Sequence, residues 1–233
     1  MDEDLESLFY KVIDQLGGSA SSDAKPLGDT SIVTTHDLQQ VDRDGYSIPL
    51  GVSNHHIHLS QNDADYLFGK GYPFQKLKDL SQPGQYALQE CVTLAGPKGV
   101  IEKVRILGPV RDETQVEITA TDCFKLGVKA PLRLSGDIEN TPGCTVIGPT
   151  GSIQLEKGCI VAKRHIHMSP EDAKNYGVTN NQEVSLELPG DRGGLLKNVT
   201  VRVKNTFSLE CHLDTEEANA MGVTGKDRLR LIK

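Results

Sequence analysis

The chain has 233 residues, of which 32 are acidic and 25 basic, so its formal net charge at pH 7 is −7. This length suits one large or two small domains with a buried core, and the acidic balance argues against general binding to nucleic acid. No apolar run approaches the roughly 20 residues that span a bilayer, and the acidic start lacks the basic region of a secretory signal, so we expect a soluble, intracellular protein.

The first element in chain order is an amphipathic helix over residues 4–16. Its apolar positions follow helical spacing, at Leu5, Leu8, Phe9, Val12, Ile13 and Leu16. The polar stretch GGSASSDAKPLGDTS follows and has the composition of a flexible linker. Two interpretations stay open: the helix binds an external partner, or it packs on the body of the protein or in an oligomer interface.

From about residue 46 onward, short apolar segments alternate with glycine and proline. VTLAGPKGVIEKVRILGP reads as two strands around a turn, and TQVEITATD and RLRLIK read as further strands. We therefore predict a mostly β fold with a few short helices. The expected organisation is an N-terminal helix and linker over residues 1–45, a first β-barrel domain over 46–135 and a second over 136–233.

One histidine phrase occurs three times along this β-rich region. It reads HLSQNDA from His58, HMSPEDA from His167 and HLDTEEA from His212. In each copy a serine or aspartate stands three positions before an acid, which is the spacing that caps the start of a helix. We expect a strand that carries the histidine to end at a short helix each time.

The first two copies carry a second imidazole two residues earlier, at His56 and His165. Side chains two apart on a strand point to the same face, so each pair is suited to bind one metal ion. A single histidine is usually an ordinary surface or core residue, but two pairs within a repeat favour metal binding, and zinc in particular. His212 stands alone in the third copy.

A carboxylate could complete the set of His56 and His58 and leave one position open for substrate. Glu117 is one candidate, because it lies on a predicted strand and on the same side as Gln115. Asp122 and Glu113 are rivals that the residues alone do not exclude.

Several longer motifs are together similar to the PduL-type phosphate propanoyltransferases. These motifs are IPLGVSNHHIHLS, LSQPGQYA, GPKG, KVRILGPVRDETQVEI and RHIHMSPEDA, in this order. The resemblance covers the chain from Ile48 to the C-terminus. It implies two β-barrel domains with two zinc ions at their interface, and reversible transfer of an acyl group between coenzyme A and phosphate.

The resemblance also implies a role for individual residues. His56, His58 and Glu117 correspond to the ligands of one zinc, and His165, His167 and His212 to those of the other. Arg111 corresponds to the phosphate-binding arginine. The positions that correspond to coenzyme A contacts are Val52, Ser53, Asn54, Lys98, Arg105 and Asn219.

The expected substrates and products are acyl-CoA, phosphate, acyl phosphate and coenzyme A, with propanoyl as the namesake acyl group and acetyl as an alternative. Within this family, an N-terminal helix followed by a linker resembles the peptides that direct enzymes into bacterial microcompartments. We therefore expect a homo-oligomer in the bacterial cytoplasm, enclosed in a microcompartment of propanediol degradation and bound to shell or cargo proteins through the helix.

Two competing hypotheses come from other functional classes. A zinc hydrolase would use water in place of phosphate as the nucleophile. A structural or binding module would use zinc only to hold the two halves together, and four protein ligands per metal would then be expected. The three ligands proposed for each zinc favour a catalytic site over a structural one.

Overall fold

A computed structural model describes residues 47–233, and the predicted N-terminal helix lies outside them. The described part is mostly β, as predicted. Its strands are β1 (Ser47–Ser53), β2 (His56–His58), β3 (Lys76–Asp79), β4 (Tyr86–Ala95), β5 (Val100–Gly108), β6 (Gln115–Ile118), β7 (Leu132–Arg133), β8 (Thr145–Ile147), β9 (Ser152–Gln154), β10 (Cys159–Ala162), β11 (His165–Met168), β12 (Glu183–Leu188), β13 (Gly194–Val203), β14 (Glu210–Asp214) and β15 (Arg228–Ile232). Its helices are α1 (Gln61–Phe68), α2 (Ala120–Leu126), α3 (Pro170–Tyr176) and α4 (Thr215–Met221).

Six strands form a closed barrel in the order β1, β14, β11, β13, β12, β15. Closure removes the unpaired strand edges that would otherwise be open to other chains. The side chains that alternate inward fill the barrel with aliphatic groups, among them Ile166, Leu186, Val201 and Leu229, each of which is at most 1% exposed. Cys211 also points into this core, so it lies on the opposite face of β14 from His212.

The other strands form a nine-stranded sheet around a second core. Its order is β7, β10, β6, β2, β5, β4, β8, β9, and β3 also pairs with β4. Ile57, Leu94, Val104 and Val116 lie in this core, each fully buried. Burying one such side chain stabilises the fold by about 1.5–3 kcal/mol. The barrel and the nine-stranded sheet thus each have a hydrophobic core of their own.

The described part of the chain starts in the barrel, crosses into the nine-stranded sheet and returns to the barrel. It leaves the barrel after Ser53 at the end of β1 and returns with β11 at His165. The division into domains at residue 135 stays a prediction, and strand membership does not follow it. The physical reason is that β1 pairs in parallel with β14, with Gly51 opposite His212. The first strand of the described chain therefore completes a barrel whose other strands lie near the C-terminus.

Both histidine pairs stand at these crossings. His56 begins β2 just after the chain has left the barrel, and His165 begins β11 just after it has returned. Each pair therefore lies where the chain passes from one sheet to the other. The two crossings bring the pairs to the same seam although 109 positions separate them in the sequence.

A helix follows each histidine strand, as the repeated phrase predicts. Ser60, Ser169 and Asp214 cap α1, α3 and α4, and each side chain accepts a hydrogen bond from the backbone N–H three residues later. The caps end the strands abruptly and fix where each helix begins. Among the described residues, no helix is both long and apolar enough to cross a membrane.

Candidate active site

The first set of converging side chains lies on β2 and β6. These strands are antiparallel, and their register places Glu117 directly opposite His56. His58 lies on the same face as His56, with their ring centroids 5.3 Å apart. His56 donates from Nδ1 to the backbone carbonyl of Asn54 at 2.8 Å, which leaves its Nε2 3.4 Å from Glu117 Oε2.

The second set lies on β11 and β14 and repeats this arrangement. His212 stands opposite His165 in the antiparallel register, in the position that Glu117 takes in the first set. His165 Nδ1 bonds the backbone carbonyl of Lys163 at 2.8 Å, the counterpart of the bond from His56 to Asn54. The ring of His167 lies 4.6 Å from that of His165 and 4.7 Å from that of His212.

Each set offers three donor atoms that lie within 4.8 Å of one another. Imidazole nitrogen and carboxylate oxygen are common zinc ligands, and both sets consist only of such groups. Neither ring nitrogen of His167 has a hydrogen-bond partner in the part of the chain that the structure describes, although the residue is buried. Since buried polar atoms are nearly always paired, the donor sets fit divalent metal ions. Three donors per set are compatible with an open fourth position.

The first set contains its own charge partner. Burial by itself would lower the pKa of His56, but the adjacent Glu117 carboxylate raises it above its ordinary value. Burial would likewise raise the pKa of Glu117, but His56, His58 and Arg111 hold it well below its usual range. Burial lowers the pKa of His58 to about 3, with Arg111 adding to the effect.

The second set consists of imidazoles only. Burial lowers the pKa of His165 to about 4 and that of His167 to about 2, and repulsion among the rings lowers both further. These histidines are therefore neutral at pH 7, the form in which imidazole binds metal.

Both sets line one cavity of about 700 Å³ between the barrel and the nine-stranded sheet. This volume is within the range of small-molecule and cofactor sites. The cavity is partly open to solvent and is lined by residues from both sheets, including all six members of the two sets. A substrate in the cavity can therefore contact both sets.

Arg111 reaches the cavity beside the first set. Its Nη2 lies 2.8 Å from His58 Nε2, and its Nη1 donates to Ser135 Oγ at 2.9 Å. The backbone is held at the same point, because the N–H of Arg111 bonds the carbonyl of Leu59 at 2.9 Å. The guanidinium is thus oriented next to the histidine pair, where it can bind an anion with two parallel N–H groups.

The residues predicted to contact coenzyme A lie in two different places. Val52, Ser53, Asn54 and Arg105 line the cavity. Arg105 donates to the backbone carbonyls of Leu88 and Gln89, so β4 orients part of its guanidinium.

Lys98 and Asn219 are exposed and are not among the residues that line this cavity. Lys98 lies in the turn between β4 and β5, and Asn219 lies on α4. Their contact with coenzyme A stays a prediction.

The rival carboxylates lie outside both sets. Asp122, the third residue of α2, accepts from the N–H of the N-cap Thr119 and lies 3.1 Å from His55 Nδ1. Glu113 pairs with Lys157 at the surface. His55 lines the cavity but does not belong to either set.

Two polar residues of the cavity wall, Arg202 and Ser135, and their neighbour Gln115 were not predicted from the sequence. Arg202 stands opposite His167 in the register of β11 and β13, and burial lowers the pKa of its guanidinium. Gln115 donates to Glu117 at 2.6 Å and Ser135 accepts from both Gln115 and Arg111. Gln115 had a signal, because it shares a strand face with Glu117, whereas Arg202 and Ser135 come from distant segments without a recognisable motif.

A model of the phosphate propanoyltransferase family matches residues 49–224 of the chain. A phosphate propanoyltransferase from Rhodopseudomonas palustris (strain BisB18) is 45% identical over 231 residues, which are 99% of this chain and 97% of that protein. One from Thermotoga maritima is 51% identical over 198 residues, 84% of this chain and 94% of that protein. One from Salmonella typhimurium (strain LT2) is 52% identical over 176 residues, 75% of this chain and 83% of that protein.

Proposed function

Because the chain belongs to the phosphate propanoyltransferase family and is an acyltransferase, we propose that it interconverts propanoyl-CoA and phosphate with propanoyl phosphate and coenzyme A in the cavity between the two sheets. The observation that carries this proposal is the convergence of two three-donor sets and Arg111 on one cavity. A thioester and an inorganic oxyanion need different binding groups side by side, and this cavity offers both.

We propose that His56, His58 and Glu117 hold one zinc ion, and that His165, His167 and His212 hold a second. When bound, zinc with an open position supplies Lewis acidity toward a carbonyl oxygen and affinity for thiolate sulfur. Within the described residues, each set has three donors and no fourth histidine, cysteine, aspartate or glutamate, which favours a catalytic site over a structural one.

In this proposal Arg111 binds phosphate and orients one of its oxygens toward the thioester carbonyl. A bidentate guanidinium contact fixes the direction of attack as well as neutralising charge. Ser135 holds Nη1 of Arg111, and Arg202 adds a second cation to the same cavity wall. The phosphate oxygen forms a C–O bond as the C–S bond breaks, and the coenzyme A sulfur leaves with the electron pair.

We infer that coenzyme A enters along Val52, Ser53, Asn54 and Arg105, which line the cavity from the side of β1 and β5. Arg105 offers positive charge to the phosphates of the cofactor. The acyl group is propanoyl in the names of the relatives. Acetyl differs by one methylene, a discrimination of about 1–3 kcal/mol, so both thioesters belong in the assay.

The experiment that tests the proposal measures coenzyme A release from propanoyl-CoA and acetyl-CoA with and without phosphate, on protein whose metal content has been determined. We expect release to require phosphate and the protein to carry two zinc equivalents. Equal rates with and without phosphate would reject the transferase and favour the zinc hydrolase, which uses water as the nucleophile.

Arg111→Ala is the sharper variant for the same assay. We expect a folded protein that keeps both metal equivalents and loses about 10²–10³-fold in phosphate-dependent turnover, since one positioned cationic donor is removed. Arg230→Ala is the matched control, because Arg230 is an exposed arginine of β15 with only a long ion pair to Glu187. Wild-type turnover in Arg111→Ala would contradict the role of Arg111.

The proposal extends to location in the cell. We propose that the protein is cargo of a bacterial microcompartment and that residues 4–16 form the helix that recruits it to shell or cargo proteins. The helical apolar spacing and the polar linker of the sequence support this. Deletion of residues 1–20 should preserve turnover in solution and abolish shell association. Loss of turnover would instead assign the segment to the catalytic body.

A further inference from the structure

Glu210 is a buried carboxylate beside the second set that the proposed reaction does not use. Its Oε2 lies 2.6 Å from His212 Nε2, and it also accepts hydrogen bonds from Ser81 Oγ and, at 3.3 Å, from Gln82 Nε2. Only 8% of the residue is exposed. A buried carboxylate is stable only when it is paired, and three donors on one oxygen provide that pairing.

The fold leaves room for this carboxylate next to the histidine. Glu210 precedes His212 by two residues on β14, so both side chains lie on the same face. On the neighbouring strand, Gly51 stands opposite His212, and a Cβ atom there would lie 3.0 Å from Glu210 Cδ. A side chain at position 51 would therefore compete with Glu210 for this space.

The carboxylate does not belong to the donor set itself. The three groups that converge are His165, His167 and His212, and Glu210 reaches only His212 among them. Its position is therefore that of an outer partner of one ligand. Outer carboxylates of this kind fix the tautomer and orientation of a metal-binding imidazole.

Two other histidines of the sets are held in the same way, by a weaker acceptor. His56 and His165 each bond a backbone carbonyl through Nδ1. His212 bonds a carboxylate through Nε2, which fixes the proton on Nε2 and leaves the lone pair on Nδ1. A carboxylate acceptor in place of a carbonyl makes the hydrogen bond charge-assisted and the imidazole a stronger metal ligand.

We propose that Glu210 is a positioning residue that holds His212 with Nδ1 available to the metal of the second set. This inference rests on the proposed function, because it assumes that the set binds a metal ion. Glu210 also connects this ligand to the nine-stranded sheet through the segment before β4. Gln82 donates to the carbonyl of Ser208 at 3.0 Å and accepts from its N–H at 3.2 Å, so the segment is bound to the approach to β14.

The test measures metal affinity by competition with a chelator and the absorption spectrum of the cobalt-substituted protein. Glu210→Ala should lower the affinity of one of the two metal equivalents by about 10–100-fold, the usual cost of losing an outer partner, and should shift the cobalt spectrum. Glu210→Gln keeps an acceptor without its charge, so its loss should be smaller. Glu187→Ala, an exposed glutamate of β12, is the matched control with unchanged affinity.

A double-mutant cycle with His212→Ala separates positioning from a general structural role. Once His212 is absent, Glu210→Ala should cause no further loss of metal affinity, because the carboxylate would have no ligand to hold. Gln82→Ala removes the link to Ser208 and the 3.3 Å bond to Glu210, but it keeps the bond that His212 donates to Glu210. It should therefore leave the cobalt spectrum as in the wild type. An equal spectral shift in Gln82→Ala and Glu210→Ala, or additive losses in the cycle, would overturn the proposal.

Two further outcomes are distinguishable. If the wild type binds no metal, the proposed function fails and the inference fails with it. If the wild type binds two equivalents and both Glu210 variants bind them with unchanged affinity and spectrum, only the inference is rejected. Should Glu210→Ala fail to fold, the cobalt spectrum of Glu210→Gln decides between these outcomes.

Discussion

The two donor sets share one backbone arrangement and differ in charge. In each, a histidine pair begins a strand, the first histidine bonds the backbone carbonyl two residues earlier, and the third group stands opposite it on an antiparallel neighbour. That third group is Glu117 on one side of the cavity and His212 on the other. The first set therefore contains a carboxylate, whereas the second consists of three imidazole rings.

This difference gives each set a distinct electrostatic character. Glu117 balances His56 and Arg111, so the first set carries charge in a buried place. The second set has its carboxylate one step further out, at Glu210, behind His212. If zinc binds as proposed, a carboxylate ligand would lower the net charge and the acidity of the first site, while three imidazoles would make the second metal the stronger Lewis acid.

The largest effect is expected from His167→Ala, which removes a member of the all-imidazole set. The variant should lose one metal equivalent and more than about 100-fold in turnover, since even outer partners cost 10–100-fold. Neither ring nitrogen of His167 has a partner in the described chain, so the metal-free variant should unfold at no lower denaturant concentration than the metal-free wild type. Retention of two tightly bound metal ions would refute the second set.

A smaller effect is expected from Glu117→Gln, which removes the charge and keeps the shape of the first set. Without the carboxylate, burial is no longer offset at His56, and its pKa should fall below the ordinary value. We expect metal affinity at this set to fall by about 10–100-fold while the second set keeps its own. Metal titration followed by nuclear magnetic resonance of the histidine rings would measure both. An unchanged pKa of His56 would contradict the proposed pairing.

The two sets should also differ in how acid destabilises the metal-free protein. The pKa of His165 is lowered from 6.5 to about 4, so below pH 6.5 the unfolded chain binds a proton that the folded chain excludes. The contribution of His165 to the free energy of unfolding, about 3 kcal/mol, is therefore complete above pH 6.5 and is lost as the pH falls toward about 4.

His165→Gln cannot titrate, so its free energy of unfolding should fall less over the same pH interval. Urea unfolding of both metal-free proteins at pH 7 and at about pH 4 measures the difference. His56 contributes with the opposite sign, because its pKa is raised. An identical pH dependence in the two proteins would contradict the neutral state of His165.

The smallest effects concern the helices behind the two sets. Ser169→Ala removes the capping box of α3, in which Ser169 N–H also donates to Asp172. At α1 the return bond runs through a third residue, because the N–H of Ser60 donates to Thr114 Oγ1, which in turn bonds Asp63. Ser169→Ala and Ser60→Ala should each lower the free energy of unfolding by about 1 kcal/mol, measured by thermal or urea unfolding, without metal loss. A metal loss in either variant would show that the cap also positions the histidines.

The local sequence pattern was sufficient to predict the fold class and the helices that follow the histidines. Short apolar segments cut by glycine and proline predicted a mostly β fold, and the spacing from Ser60, Ser169 and Asp214 to an acid predicted the three helices that follow the histidines. The resemblance to phosphate propanoyltransferases is likewise confirmed by the family match. Capping and alternation act over a few residues, so they can be read directly from neighbouring positions.

Which residues meet in the cavity could be seen only in the tertiary structure. Alternation puts His56 beside His58, but only the antiparallel register of β2 and β6 brings Glu117 opposite His56. Asp122 and Glu113 lie elsewhere. The parallel pairing of β1 with β14 joins positions 161 residues apart, and the space beside Gly51 that Glu210 fills exists only after that pairing. Contacts between distant strands depend on register and closure of the whole sheet, which no short stretch of residues encodes.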